Sequence, residues 1–195
     1  MRPLPFTGLS AIPFWIAFYW AFAAEMPFVR RDRVTAPAST DRGSKRVIYI
    51  AGGAGTFLAF LFASLLPALT MSSFRMAIYA AGIAGIAAGG WLRRHCFRML
   101  GESFTYDVRV RDGQTVVERG AYRYVRHPSY AAGMLLFGGI GLSLTNWLSL
   151  AVAVIPPAVA YAYRISVEER ALVATLGPAY ADYMRRTKRL VPFLV

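Results

Sequence analysis

Between Arg126 and Arg164 the chain reads HPSYAAGMLLFGGIGLSLTNWLSLAVAVIPPAVAYAY (residues 127–163), a stretch without one Asp, Glu, Lys or Arg. It divides into two apolar runs, residues 130–144 and 147–163, separated only by Thr145-Asn146. Runs of this length with so short a join predict a tight helical hairpin. A hairpin returns its ends to one side, so Arg126-His127-Pro128-Ser129-Tyr130 and the later pair Glu168-Glu169 are expected at the same membrane face. Ionisable groups at a bilayer boundary are costly, and two such groups brought together mark a functional site by default.

Working outward, three more apolar segments precede the hairpin, at residues 12–29, 47–69 and 74–92. The composition is 56% apolar and only 16% charged, with the apolar residues in blocks. Such blocks predict an all-α polytopic membrane protein of five transmembrane helices. The second and third segments approach the ~20 residues that cross a bilayer. The fourth and fifth are short, which implies tilt or incomplete crossing. Of the 22 Lys and Arg residues, all but Arg2 and Arg75 fall in the first loop, the segment after the third span, or the tail. The positive-inside rule makes that face cytoplasmic and puts the N-terminus outside and the C-terminus inside. The expected setting is a prokaryotic inner membrane or a eukaryotic endoplasmic reticulum. The first segment has the look of a secretory signal ending in Ala21-Phe22-Ala23, but the basic cluster from Arg30 reads as a stop-transfer flank, so it is expected to stay as a span.

The charge of +12 is accounted for by this topology, and no nucleic-acid partner is expected. Cys96 is the only cysteine and His95 and His127 the only histidines, which leaves no internal disulfide and no metal centre to build. No glycine-rich phosphate cradle is present. Gly85 and Gly89 form a GxxxG pattern beside Gly82 and Gly90, read as internal helix packing rather than a dimer face. Pro156-Pro157 is expected to interrupt and kink the fifth span, either opening a cavity or simply being tolerated in a membrane helix, and Glu25 is expected to snorkel or to pair with Arg30. The chain thus divides into residues 1–92, three spans with a basic loop, and residues 93–195, the region carrying the site.

In the polar segments, Tyr106 to Arg111 alternates in character, Asp112-Gly113 is a turn signal, and Thr115-Val116-Val117 is extended again, suggesting a small hairpin or lid. In the tail, Leu172, Leu176, Tyr180 and Tyr183 form an apolar stripe that Gly177-Pro178 breaks into two short helices. Arg185, Arg186, Lys188 and Arg189 are expected to rest against anionic headgroups. Tyr161, Arg164 and Glu168 share one helix face; Arg164 and Glu168 are either an i,i+4 ion pair or part of a site. His127 is either an interfacial histidine satisfied by a backbone group or a functional one. Pro128 suits a helix's first turn, where free amides such as that of Ser129 suit a carboxylate-bearing cofactor.

The run Gly120-Ala121-Tyr122-Arg123-Tyr124-Val125-Arg126-His127-Pro128-Ser129-Tyr130 resembles the signature of isoprenylcysteine carboxyl methyltransferases and their prokaryotic relatives. The resemblance continues through Thr145-Asn146-Trp147, Arg164-Ile165-Ser166-Val167-Glu168-Glu169-Arg170, Gly177-Pro178-Ala179-Tyr180-Ala181-Asp182-Tyr183 and Thr187-Lys188-Arg189-Leu190-Val191-Pro192. It implies S-adenosylmethionine as methyl donor and a lipophilic or prenylated acceptor entering from the surrounding membrane lipids. It implies a cytoplasmic cofactor pocket of Gln114, Thr115, Val116, Val117, Tyr122, His127, Pro128, Ser129, Tyr130, Glu168 and Glu169. Arg164 matches the residue that holds the acceptor's carboxylate, so Arg164 and Glu168 are the expected catalytic pair. Gln114 and Ala121 depart from the histidine and proline common in relatives. An ionised carboxylate acceptor needs no general base; an amine or thiol acceptor would, and His127 or Glu169 would then serve. The competing readings are a phospholipid amine or thiol methyltransferase, an NADPH-dependent enzyme like the sterol reductases, and a non-enzymatic membrane scaffold.

Overall fold

The computed structural model describes residues 3–23, 25, 43–101 and 115–191. Six α-helices stand among them: α1 (Ala11–Ala23), α2 (Ser44–Leu65), α3 (Arg75–Leu100), α4 (Pro128–Ser143), α5 (Trp147–Leu176) and α6 (Pro178–Arg186). Short 3-10 turns join them, one of which, Gly120–Arg123, leads toward α4. No strand is found among the described residues, only isolated bridges.

Three helices, α2, α3 and α5, are long and apolar enough to cross a membrane. α1 and the 16-residue α4 are shorter, so of the five expected spans the structure supports three by length. Large apolar side chains such as Phe57, Ile155 and Val159 face outward, the arrangement expected of a chain whose solvent is lipid.

The fifth segment departs from expectation. α5 runs unbroken for 30 residues, through Pro156-Pro157 and on through the polar stretch to Leu176. The proline pair does not end it, because bonds lost at one turn are outweighed by the packing of the whole helix on its neighbours. The first of the two short tail helices is therefore the end of α5. The break at Gly177 is real: it takes a φ of 57°, a left-handed conformation that favours glycine, and Pro178 opens α6.

Two antiparallel pairs build the bundle. α2 packs along α5, α3 along α4, and α1 lies on α3. At one end, the α4–α5 connection turns through Thr145 at φ 49°, and Asn146 caps α5 by accepting from the Ser149 amide at 3.1 Å. Asn146 Nδ2 also donates to the Leu66 carbonyl at 2.9 Å, and the Met71 amide donates to the Thr145 carbonyl at 2.8 Å. These bonds stitch the two pairs together at that end.

The glycines of α3 face α4 at close range. A Cβ on Gly89 would lie 2.7 Å from the Leu136 amide nitrogen, and one on Gly139 would lie 2.5 Å from that of Ile86. Small residues let backbones approach to this degree. The GxxxG pattern thus serves internal packing, as its reading expected. The Glu25 carboxylate accepts from Arg93 Nε of α3. Arg30 lies outside the described residues, as does the expected hairpin or lid over residues 106–114; Thr115-Val116-Val117 is described and is neither strand nor helix.

Candidate active site

Because Pro128 starts α4 where α5 emerges past Tyr163, the first turn of α4 faces the polar continuation of α5. Tyr130 crosses the gap. Its hydroxyl donates to Glu168 Oε2 at 2.7 Å and accepts from Arg164 Nε at 3.2 Å. The i,i+4 pair of α5 is thereby linked through a side chain of α4. Arg164, 4% exposed, also donates from Nη1 to Ser44 Oγ of α2 at 3.0 Å. Beside this group three rings stack: His127 on Tyr130 with centroids 5.5 Å apart, and Tyr130 on Tyr161 at 5.0 Å.

The adjacent carboxylates have different surroundings. Glu168, with 31% of its side chain exposed, faces Tyr130, and its Oε2 lies 3.8 Å from His127 Nδ1. Glu169 is buried. Its Oε1 accepts from Arg126 Nε at 2.8 Å and lies 3.3 Å from His127 Nε2; its Oε2 lies 2.9 Å from Arg189 Nη2. Burial works against ionisation of Glu169, but hydrogen bonds from His127 and Arg126, reinforced by their charges, hold its carboxyl at about 2.

The tail closes this side of the site. The amides of Arg126 and His127 donate to the carbonyls of Lys188 and Arg189 at 2.7 and 2.9 Å, and the Lys188 amide donates to the Tyr124 carbonyl at 3.2 Å. Arg126 Nη1 donates to the Met184 carbonyl at 3.0 Å and to that of Thr187. The expected headgroup cluster turns out to be partly engaged within the chain: Arg185 meets Asp182, Arg186 meets Glu118, and Arg189 meets Glu169.

Tyr122, on the 3-10 turn before α4, is buried, and its hydroxyl is enclosed without a well-formed hydrogen bond. Burial pushes this phenol well above its ordinary pKa, while the neighbouring Ser129 hydroxyl counters the effect. Tyr183 donates to the Tyr122 carbonyl at 2.6 Å and holds the turn in place. The structure thus brings together His127, Pro128, Ser129, Tyr130, Arg164, Glu168 and Glu169, with Tyr122 adjoining Ser129. Thr115, Val116 and Val117 make none of the contacts described, and Gln114 lies outside the described residues. Sequence reading missed Ser44 and Arg93, whose Nη1 donates to the Ser129 carbonyl at 3.1 Å. Neither carries a local signal, since each acts across the bundle.

The model of the phospholipid methyltransferase family matches residues 77–179, more than half of the chain and all of this cluster except Ser44 and Arg189. The chain belongs to that family. Among curated relatives it is 30% identical, over 115 residues, to protein-S-isoprenylcysteine O-methyltransferase B of Arabidopsis thaliana, covering 58% of each chain. It is 37% identical over 92 residues to a cobalt-zinc-cadmium resistance protein of Cupriavidus metallidurans, covering 45% of this chain and 40% of that one. Its fold is similar to the structure of the eukaryotic intramembrane Ras methyltransferase, isoprenylcysteine carboxyl methyltransferase, with a TM-score of 0.62 and 25% identity over 74% of this chain and 51% of the other. The chain therefore spans under two thirds of the length of these relatives. The resemblance first seen in the Arg126–Tyr130 run is borne out by the isoprenylcysteine methyltransferases among them.

Proposed function

We propose that this protein transfers a methyl group from S-adenosylmethionine to the carboxylate of a lipophilic, isoprenylcysteine-like acceptor drawn from the bilayer. The observation that carries this reading is the Tyr130 hydroxyl joined to both Glu168 and Arg164 at the meeting of two helices, beside a stack of three rings. Those residues suit a cofactor of this kind. Tyr122 offers a buried, unsatisfied hydroxyl to a polar ligand, and Glu168 keeps part of its carboxylate exposed, a charge that attracts a cation. Gln114 to Val117, Tyr122, His127 to Tyr130, and Glu168 would hold the cofactor. When bound, it supplies an electrophilic methyl group on a sulfonium.

The chain's own residues supply alignment. An acceptor carboxylate is already ionised near pH 7, so no side chain needs to remove a proton. Arg164 orients the acid through its planar fork, and the surrounding helices limit access of water. Glu169, bound on all sides by Arg126, His127 and Arg189, keeps the tail and the helix start in register. We place the site at the cytoplasmic face, with α1 and α4 completing five spans as shorter, tilted elements, the N-terminus outside and the C-terminus inside.

A second reading, methylation of a phospholipid amine or a thiol, is supported by the family match itself; His127 would then accept the proton. Two measurements on detergent-solubilised protein separate these readings. Titration with S-adenosylhomocysteine should saturate and titration with NADPH should not. Labelled methyl transfer across prenylcysteine analogues, lipid amines and thiols should favour the acids. Absence of saturable S-adenosylhomocysteine binding would end the proposal.

A further inference from the structure

Arg164 is held from two helices at once. Tyr130 of α4 receives its Nε–H and Ser44 of α2 receives its Nη1–H, at 3.2 and 3.0 Å. Ser44 is fully buried and opens α2 directly after Gly43, whose φ of 77° turns the chain into the helix. It lies outside the residues matched by the family model and outside the motifs of the C-terminal half.

We infer that Ser44 is a positioning residue for Arg164, fixing the plane of its guanidinium toward the acidic acceptor. This rests on the reading of Arg164 as the acceptor-carboxylate residue. The five N–H donors of arginine lie in one rigid plane. A bond at Nε constrains the tilt of that plane weakly, because Nε lies close to the axis about which it turns. A second bond at Nη1, from a different helix, fixes the tilt and with it the direction of the donors that engage a carboxylate. Helix α2 thereby acts on the geometry of a site otherwise built by α4 and α5. Arg164 is separated from Ser44 by 120 residues, so the bond also requires that α2 and α5 keep their longitudinal register.

Two readouts on the solubilised full chain test this. In arginine-labelled protein without ligand, NMR should show slow rotation of the Arg164 guanidinium, assigned by its loss in R164K. Ser44→Ala should speed that rotation about tenfold, the loss of one hydrogen bond to a charged group, and Ser44→Thr should keep it slow. Unchanged rotation in a folded S44A protein overturns the inference whatever the enzyme's acceptor. In methyl transfer to a farnesyl thioether acid, S44A should raise KM about tenfold with kcat and S-adenosylhomocysteine affinity within about twofold, and S44T should restore KM. Parallel loss of cofactor affinity would mark a merely structural serine and also overturn it. If S44A fails to fold, S44C keeps the volume with a weaker acceptor and takes its place. Faster rotation in S44A combined with no transfer by the wild type would uphold the Ser44–Arg164 coupling and refute the proposed acceptor instead.

Discussion

Replacing the two neighbouring glutamates one at a time should give opposite phenotypes. Glu169→Ala removes the counter-charge of Arg126 and His127, whose side chains are 8% and 4% exposed. Breaking a buried pair by deleting one member costs ~3–5 kcal/mol. Arg126 keeps its bonds to the Met184 and Thr187 carbonyls, and Arg189 is half exposed, so the lower end applies, about 3 kcal/mol. For a chain of this size that is a fall of roughly 6–12 °C in unfolding temperature. Glu168→Ala removes one 2.7 Å bond from Tyr130 to a partly exposed carboxylate, worth about 1 kcal/mol once exposure is allowed for. Its effect should instead fall on ligand affinity, weakening S-adenosylhomocysteine binding about tenfold or more. The assay is thermal unfolding in detergent followed by a ligand titration on the folded fraction. A Glu168→Ala protein that binds the ligand like wild type, or that unfolds at lower temperature than Glu169→Ala, would refute the division of roles.

Three further outcomes follow from the same geometry. Gly89→Ala sets a methyl against the Leu136 and Ala132 backbone at 2.7 and 2.8 Å and should cost ~1–3 kcal/mol; Gly138→Ala, with open space around it, should be neutral or stabilising, as unfolding midpoints will report. Tyr122→Phe should leave the ligand-free protein as stable or more so, since an unsatisfied buried hydroxyl is removed, while S-adenosylhomocysteine affinity falls; equal affinity would dissociate Tyr122 from the cofactor. For pH, the carboxyl of Glu169 is held down from 4.5 to about 2. Its stabilising effect is therefore full above its ordinary value and is lost as pH falls from 4.5 towards 2. Unfolding midpoints should drop across that window in wild type and drop less in Glu169→Gln.

The hairpin and the convergence of its ends were legible because three local signals agreed: two uncharged runs, a two-residue join, and a proline where a helix can begin. The continuity of α5 was not, because Pro156 and Pro157 weaken only local bonds, whereas what sustains the helix is the packing of α2 and α4 along it. The contact of Glu25 with Arg93 was silent for a related reason: Arg93 reaches it from another helix, and pairing across a bundle leaves no periodic trace. The tail's attachment beside α4 was equally silent, since one parallel bridge between Val125 and Lys188 creates no alternating pattern. Helix spacing already separated Glu168, on the face of Tyr161 and Arg164, from Glu169; what each carboxylate meets, Tyr130 or Arg126, was not legible.

That separation explains why the Arg126–Tyr130 run is so compact. Adjacent positions on an α-helix point about 100° apart, following from its 3.6 residues per turn, so Glu168 and Glu169 address different sides of α5. The run meets both with consecutive residues. Arg126 takes Glu169 and, through its backbone amide, the tail. His127 lies between the two carboxylates, within 3.8 Å of one and 3.3 Å of the other. Its amide is occupied by Arg189, and Pro128, which has no amide hydrogen, starts the helix at no loss of bonding. Two residues on, Tyr130 reaches Glu168 and Arg164. Within five residues the chain thus passes from fastening the tail to forming the site wall. A one-residue insertion after His127 would keep the fastening and rotate Tyr130 away from Glu168, so it should preserve tail docking, read by protease resistance, while abolishing ligand binding. A joint loss of both would mean that fastening and site are one cooperative unit and that the residue-by-residue division above is false.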